Sequence, residues 1–154
     1  MFRWIVAVVL VLIVVFFVYV NFSNKATNEL GVMDGLLKNC PSTPNCVSSQ
    51  SDIADSEHYA EPIVYSGSRK ETQLLIESYM LNQGDARMIS SELGYVYFEV
   101  KSKLIGYIDD VEFYLPEGDS VVHFRSASRV GYSDRGVNLE RMSHIRQLLV
   151  PQEN

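Results

Sequence analysis

Basic residues are scarce in this chain, with 13 Lys and Arg against 19 Asp and Glu and a formal net charge of -6 at pH 7. That balance excludes nucleic acid as the main partner, because neutralising phosphates needs a basic surface. Cysteine occurs twice and histidine three times. The C-x5-C spacing of Cys40 and Cys46 is wider than usual zinc spacing, and no two histidines stand four apart on a helix. A G-x-S-x-G elbow is missing, as are a 12-residue EF-hand loop and any internal repeat. No catalytic residue, metal site or cofactor is assigned on this basis.

One long apolar run is present. Ile5 to Val20 reads IVAVVLVLIVVFFVYV without a charge. With its flanks it fills residues 4–22, about 28 Å of helix, close to one hydrocarbon core. Trp4 and Tyr19 sit where interfacial aromatics are expected. A cleaved signal peptide is the alternative. The run exceeds a usual h-region, and no A-x-A site follows it, so a retained transmembrane anchor is the preferred reading. Arg3 precedes the run and Lys25 is the first charge after it, which favours a cytoplasmic amino terminus and an exported domain. Export suits Cys40 and Cys46, whose Pro-, Ser- and Asn-rich loop a disulfide would close in an oxidising compartment. The expected address is a bacterial inner membrane, single-pass, with the domain in the periplasm.

The remainder divides into a tether at 23–37, with a helical turn expected near Leu30–Leu37, and one domain at 38–150. Ile63 to Tyr65 suggests a short strand. Lys70 to Gln83 reads as a helix with Leu74, Leu75, Tyr79 and Met80 as its apolar contacts, and Gly84 just beyond its end. Residues 87–92 form a weak strand pattern, whereas Tyr95 to Ser102 alternates cleanly. Ile108 to Leu115 and Val121 to Ser126 suggest a hairpin. A final helix is expected from Leu139 to Leu149, with Asn138 as N-cap and Val137 stapled to Met142. The order predicts an α+β domain, a roughly four-stranded antiparallel sheet with helices on one face.

Pairing Leu115 with Ser120 sets a register in which Phe113 faces Val122 and Val111 faces Phe124. The opposite face then pairs Glu112 with His123 and Asp110 with Arg125, and a one-residue slip would set apolar residues against charges. Tyr95, Tyr97, Tyr114 and Glu99 join this polar face, which suits either plain solvation or a partner surface. Asp109 and Asp110 point to opposite sides of the strand, which disfavours a shared cation.

Residues 125–141 form the densest polar stretch and reverse the charge, with five arginines from Arg125 onward against Asp134, Glu140 and Glu153. The candidate anion or partner site comprises Arg125, Ser128, Arg129, Gly131, Ser133, Asp134, Arg135, Gly136, Asn138 and Arg141. Two glycines flank a Ser-Asp pair before a helix start, where backbone N–H groups and arginines would meet an anion. The competing reading is an internally satisfied loop, with Asp134 capping a turn and Arg129 paired with Asp109 or Asp134.

Lys38 to Ser49 (KNCPSTPNCVSS), Tyr107 to Phe113 (YIDDVEF) and Arg125 to Arg141, in that order, resemble the domain-of-unknown-function 1499 family. The resemblance covers most of the chain after Gly35. It implies an exported or membrane-associated protein of the type found in proteobacteria, and no transferable activity. A non-enzymatic domain binding an envelope protein or an anionic headgroup is therefore expected. The alternative is an envelope enzyme on a phosphorylated or acylated substrate, using Asp109, Asp110 or His123.

Overall fold

The computed structural model describes residues 2–25 and 30–150. Helix α1 (Phe2–Ser23) is long and apolar enough to cross a membrane, and only Val20 near its end is buried against protein. Residues 26–29 of the expected tether lie outside the described residues. Residues 30–37 form no helix. They turn through a bridge between Met33 and Leu36, with Gly31, Asp34 and Gly35 at positive φ.

The domain carries strands β1 (Cys46–Ser48) and β2 (Ile63–Val64), helix α2 (Arg69–Asn82), strands β3 (Ala86–Glu92), β4 (Tyr95–Lys101), β5 (Ile108–Tyr114) and β6 (Val121–Ser128), and helix α3 (Val137–Leu149). The α+β class is present. The sheet has six strands rather than four, in the order β1-β6-β5-β4-β3, with β2 also on β6. The added members are β1, three residues long, and β2, two residues long and within the short strand expected at Ile63 to Tyr65; both are too short to show a period-2 pattern in sequence.

The hairpin register differs from expectation by two residues. Phe113 faces Phe124, Glu112 faces Arg125 and Asp110 faces Ala127. A shift of two leaves every side chain on its expected face, so alternation cannot distinguish the registers. The first residues of β6, Val121 and Val122, pair with β2 instead, and β5 continues along β4 through Leu115 N–H to the Gly94 carbonyl.

Both helices pack on the face formed by Val96, Phe98, Val111, Phe113 and Phe124, all fully buried. Phe98 and Phe113 meet edge to face, with ring centroids 6.4 Å apart. Helix α2 starts at a capping box of Ser68 and Glu71 and buries Thr72, Gln73, Ile76 and Met80. Leu74 and Leu75, expected inside, are half exposed, because the buried stripe follows Ile76 and Met80 one turn apart. Helix α3 buries Met142, Ile145 and Leu149, but its N-cap is Gly136 in the left-handed region, not Asn138. Asp134 does the capping, accepting from the N–H groups of Gly136 at 3.0 Å and Asn138 at 2.8 Å. Val137 therefore lies inside the helix, 47% exposed, and forms no staple.

Phe113→Ala should destabilise the detergent-solubilised full chain by about 3–5 kcal/mol in chemical unfolding. Leu74→Ala should change it by less than about 0.5 kcal/mol. Equal costs would place Leu74 in the core and contradict the α2 face described here.

Candidate functional site

The sheet face opposite the helices carries Tyr95, Tyr97 and Glu99 of β4, Asp110 and Glu112 of β5, and Arg125 of β6. It is polar, as alternation dictates, but it is not a solvated surface. Glu112 is 0% exposed, Asp110 4% and Arg125 6%. The end of α1 and the segment after Leu30 lie against it: Gly31 N–H donates to Glu112 Oε1 at 2.9 Å, and the Asn24 carbonyl accepts from Arg129 Nη1 at 2.9 Å.

Arg129 stands at the centre of this face. Its Nε donates to both Asp110 oxygens at 3.0 Å, and its Nη2 reaches Asp110 Oδ1 and Glu99 Oε1 at 2.6 Å and the Tyr97 hydroxyl at 2.8 Å. Tyr97 donates in turn to Asp110 Oδ1 at 2.5 Å. Burial works against the Arg129 charge, yet the hydrogen bonds it donates to Asp110 and Glu99 outweigh it and hold the guanidinium more basic than usual. Burial likewise raises Glu99, but hydrogen bonds from Arg87 and Arg129 leave its carboxyl below the ordinary range. Arg129 thus pairs with Asp110, rather than with Asp109 or Asp134.

Arg125 is less well supplied. Its Nη1 lies 3.4 Å from Glu112 Oε2, at the long limit for a hydrogen bond, and its buried Nε has no partner among the described residues. Glu112 also accepts from Tyr95 at 2.9 Å, and burial pushes its carboxyl above the ordinary range. The expected pairs Asp110–Arg125 and Glu112–His123 are absent among the described residues, as the two-residue register shift requires. A cleft of about 310 Å³ opens beside these groups, lined by Lys25, Lys38, Arg125, Arg129, Asp110 and the disulfide loop at Cys40.

The candidate residues do not gather in one place. Arg125, Ser128 and Arg129 line the cleft. On the helix side, Arg141 pairs with Asp109 at 2.8 Å and bonds Ser126 and Asn138, while Ser128 donates to Asp109 at 2.6 Å. Asn138 and Asn45 complete that cluster. Gly131, Ser133, Asp134 and Gly136 build the turn into α3: the Gly131 carbonyl accepts from Asn45 Nδ2, and Ser133 Oγ accepts from Arg135 N–H. Arg135 is exposed, with φ 57°. Among the described residues no group of three or more His, Cys, Asp or Glu side chains is placed to hold a metal ion.

Cys40 and Cys46 form the disulfide. His123 Nδ1 lies 3.2 Å from Ser49 Oγ, whose oxygen also accepts from Phe124 N–H, and the imidazole stacks on Tyr114. Sequence reasoning missed Ser49, Gly31, Lys25 and Lys38. No short motif joins them to the β5–β6 residues they approach, and only the covering of the polar face brings them there.

An apolar helix joined to a small α+β domain with a covered polar sheet face defines the class of the molecule. Residues 36–149 match the family model described as protein of unknown function (DUF1499), and the chain belongs to that family. No curated protein matches the chain, and no solved structure does.

The buried imidazole of His58 and the half-buried one of His123 should titrate on opposite sides of the ordinary value. His58 donates to Asp55 Oδ2 at 2.7 Å and to the Thr43 carbonyl at 3.1 Å, so only the doubly protonated ring satisfies both acceptors. Its pKa is raised from 6.5 chiefly by the Asp55 hydrogen bond, whereas burial lowers that of His123. The stability from His58 is fully present below about pH 6.5 and lost as pH rises through its folded midpoint; that of His123 runs the other way. NMR titration should put the His58 midpoint above that of His123, and Asp55→Asn should bring it down. Coincident midpoints would contradict this geometry.

Proposed function

We propose that this chain is a membrane-anchored envelope protein whose domain, on the periplasmic side of a bacterial inner membrane, binds an anionic group rather than transforming a substrate. The observation that carries the reading is Arg125. A guanidinium buried to this degree with an unpartnered Nε and one 3.4 Å contact is short of acceptors, and a buried donor without an acceptor costs about 1–3 kcal/mol. A phosphate or carboxylate oxygen in the adjoining cleft would supply one. Lys25, Lys38 and Arg129 line the same cleft. The disulfide supports an oxidising compartment, and α1 supports the membrane address.

Acid–base catalysis has less support. Asp109 and Asp110 are each held by an arginine, and the buried Ser49 hydroxyl is tied to both His123 and Phe124 N–H.

Titration of the full chain in neutral detergent with inorganic phosphate, and separately with glycerol phosphate, should shift the Arg125 Nε–H resonance saturably. Arg125→Lys keeps the charge but removes the fork, and should weaken binding, followed through the Arg129 Nε–H resonance, by about tenfold, the worth of one charge-assisted bond. Preference for glycerol phosphate would point to a lipid headgroup, and equal affinity to the phosphate group alone. Absence of saturable binding, or unchanged affinity in Arg125→Lys, would overturn the reading.

A further inference from the structure

The end of the sheet that carries Lys101, Ile108 and Ser128 is also where α1 arrives. Asn24, one residue past α1, donates from Nδ2 to the Gly106 carbonyl at 2.7 Å and accepts from Ile108 N–H at Oδ1 at 3.1 Å. The β4–β5 loop, residues 102–107, is thereby fixed beside the apolar helix. Val20 is buried against protein, so the helix meets the domain directly and not through slack chain.

At the tip of that loop stands Leu104, 92% exposed, the most exposed large hydrophobic side chain among the described residues, with the exposed Lys103 before it and Ile105 after it. A single exposed leucine is ordinary on a protein surface; its position and its backbone set this one apart. Ser102 closes the loop on itself. Its Oγ accepts from Gly106 and Tyr107 N–H at 3.1 and 2.9 Å, its carbonyl accepts from Gly106 N–H, and its N–H donates to the Tyr107 carbonyl. These bonds close the base of the turn, while the apolar side chains at its tip are not covered. The turn after β6 lies at the same end and presents Tyr132, 74% exposed, and Arg135. Aromatic and aliphatic tips among lysine and arginine are the composition of a surface that sits in an anionic headgroup layer.

We propose that Leu104 and Ile105 enter the interface of the leaflet from which α1 emerges, with Lys101, Lys103 and Arg135 against its headgroups, so that the domain lies on the bilayer at two points. The inference rests on α1 crossing the membrane, as proposed above, and is independent of the anion cleft. A domain so seated holds the cleft beside α1 at headgroup height, and not out in the aqueous compartment.

The full chain in nanodiscs containing phosphatidylglycerol tests this. Leu104→Cys and Leu93→Cys are each labelled with an environment-sensitive fluorophore, the native cysteines being held in their disulfide. Leu93, 64% exposed in the β3–β4 turn, is a matched leucine at the opposite end of the sheet. The Leu104 label should emit at shorter wavelength and be quenched by spin-labelled lipid, and the Leu93 label should do neither. Trp4, the single tryptophan, reports insertion of α1 through quenching by brominated lipid in the unlabelled chain. Quenched Trp4 with equally water-exposed Leu104 and Leu93 labels would overturn the docking while leaving the anchor. An unquenched Trp4 would remove the anchor and the docking together.

Discussion

The buried ion pair between Arg129 and Asp110 joins β5 to the chain just past β6 and reaches β4 and the end of α1. Two charges leave water here, each nearly fully covered, and such a transfer is tolerated only when every donor and acceptor finds a partner. Arg129 meets that condition by reaching β4 through Tyr97 and Glu99, β5 through Asp110, and the end of α1 through the Asn24 carbonyl. One guanidinium thus ties β4, β5 and the end of the apolar helix together. A well-packed apolar residue in its place would hold the sheet together without orienting the helix.

Beside this satisfied arginine stands one that is not. Arg125 lies in β6 and Arg129 just past its end, with side chains 7% and 4% exposed, yet of the two only Arg125 has a buried nitrogen without a partner among the described residues. Folding alone does not call for that difference, since an apolar side chain at 125 would cost less than a guanidinium with an orphaned Nε. The contrast is what supports the proposed anion at the cleft, and it separates the cleft from the Asp109–Arg141 cluster on the helix side.

Much of the architecture was legible. The apolar run, the α+β order, and the parity that sends Phe113 and Phe124 inward and Glu112 and Arg125 outward all follow from hydrophobic period. Period could not choose between registers two residues apart, because both keep each side chain on its face, and β2 at Val121 and Val122 decided between them. Alternation could say that Asp110 and Glu112 share a face, but not that Gly31 and Asn24 would bury it, since those contacts join residues about 80 apart in the chain. Arg125 and Arg129 stood out as charges. That one would be saturated and the other not depends on which carboxylate the register sets opposite each.

If Arg129 and Asp110 act as one unit, a double-mutant cycle will register it. Asp110→Asn, Arg129→Gln and the double variant of the full chain would be unfolded chemically in detergent. The two positions should couple by about 1–3 kcal/mol, the double variant being less destabilised than the sum of the singles. A coupling near zero would mean that the pair is incidental to the fold.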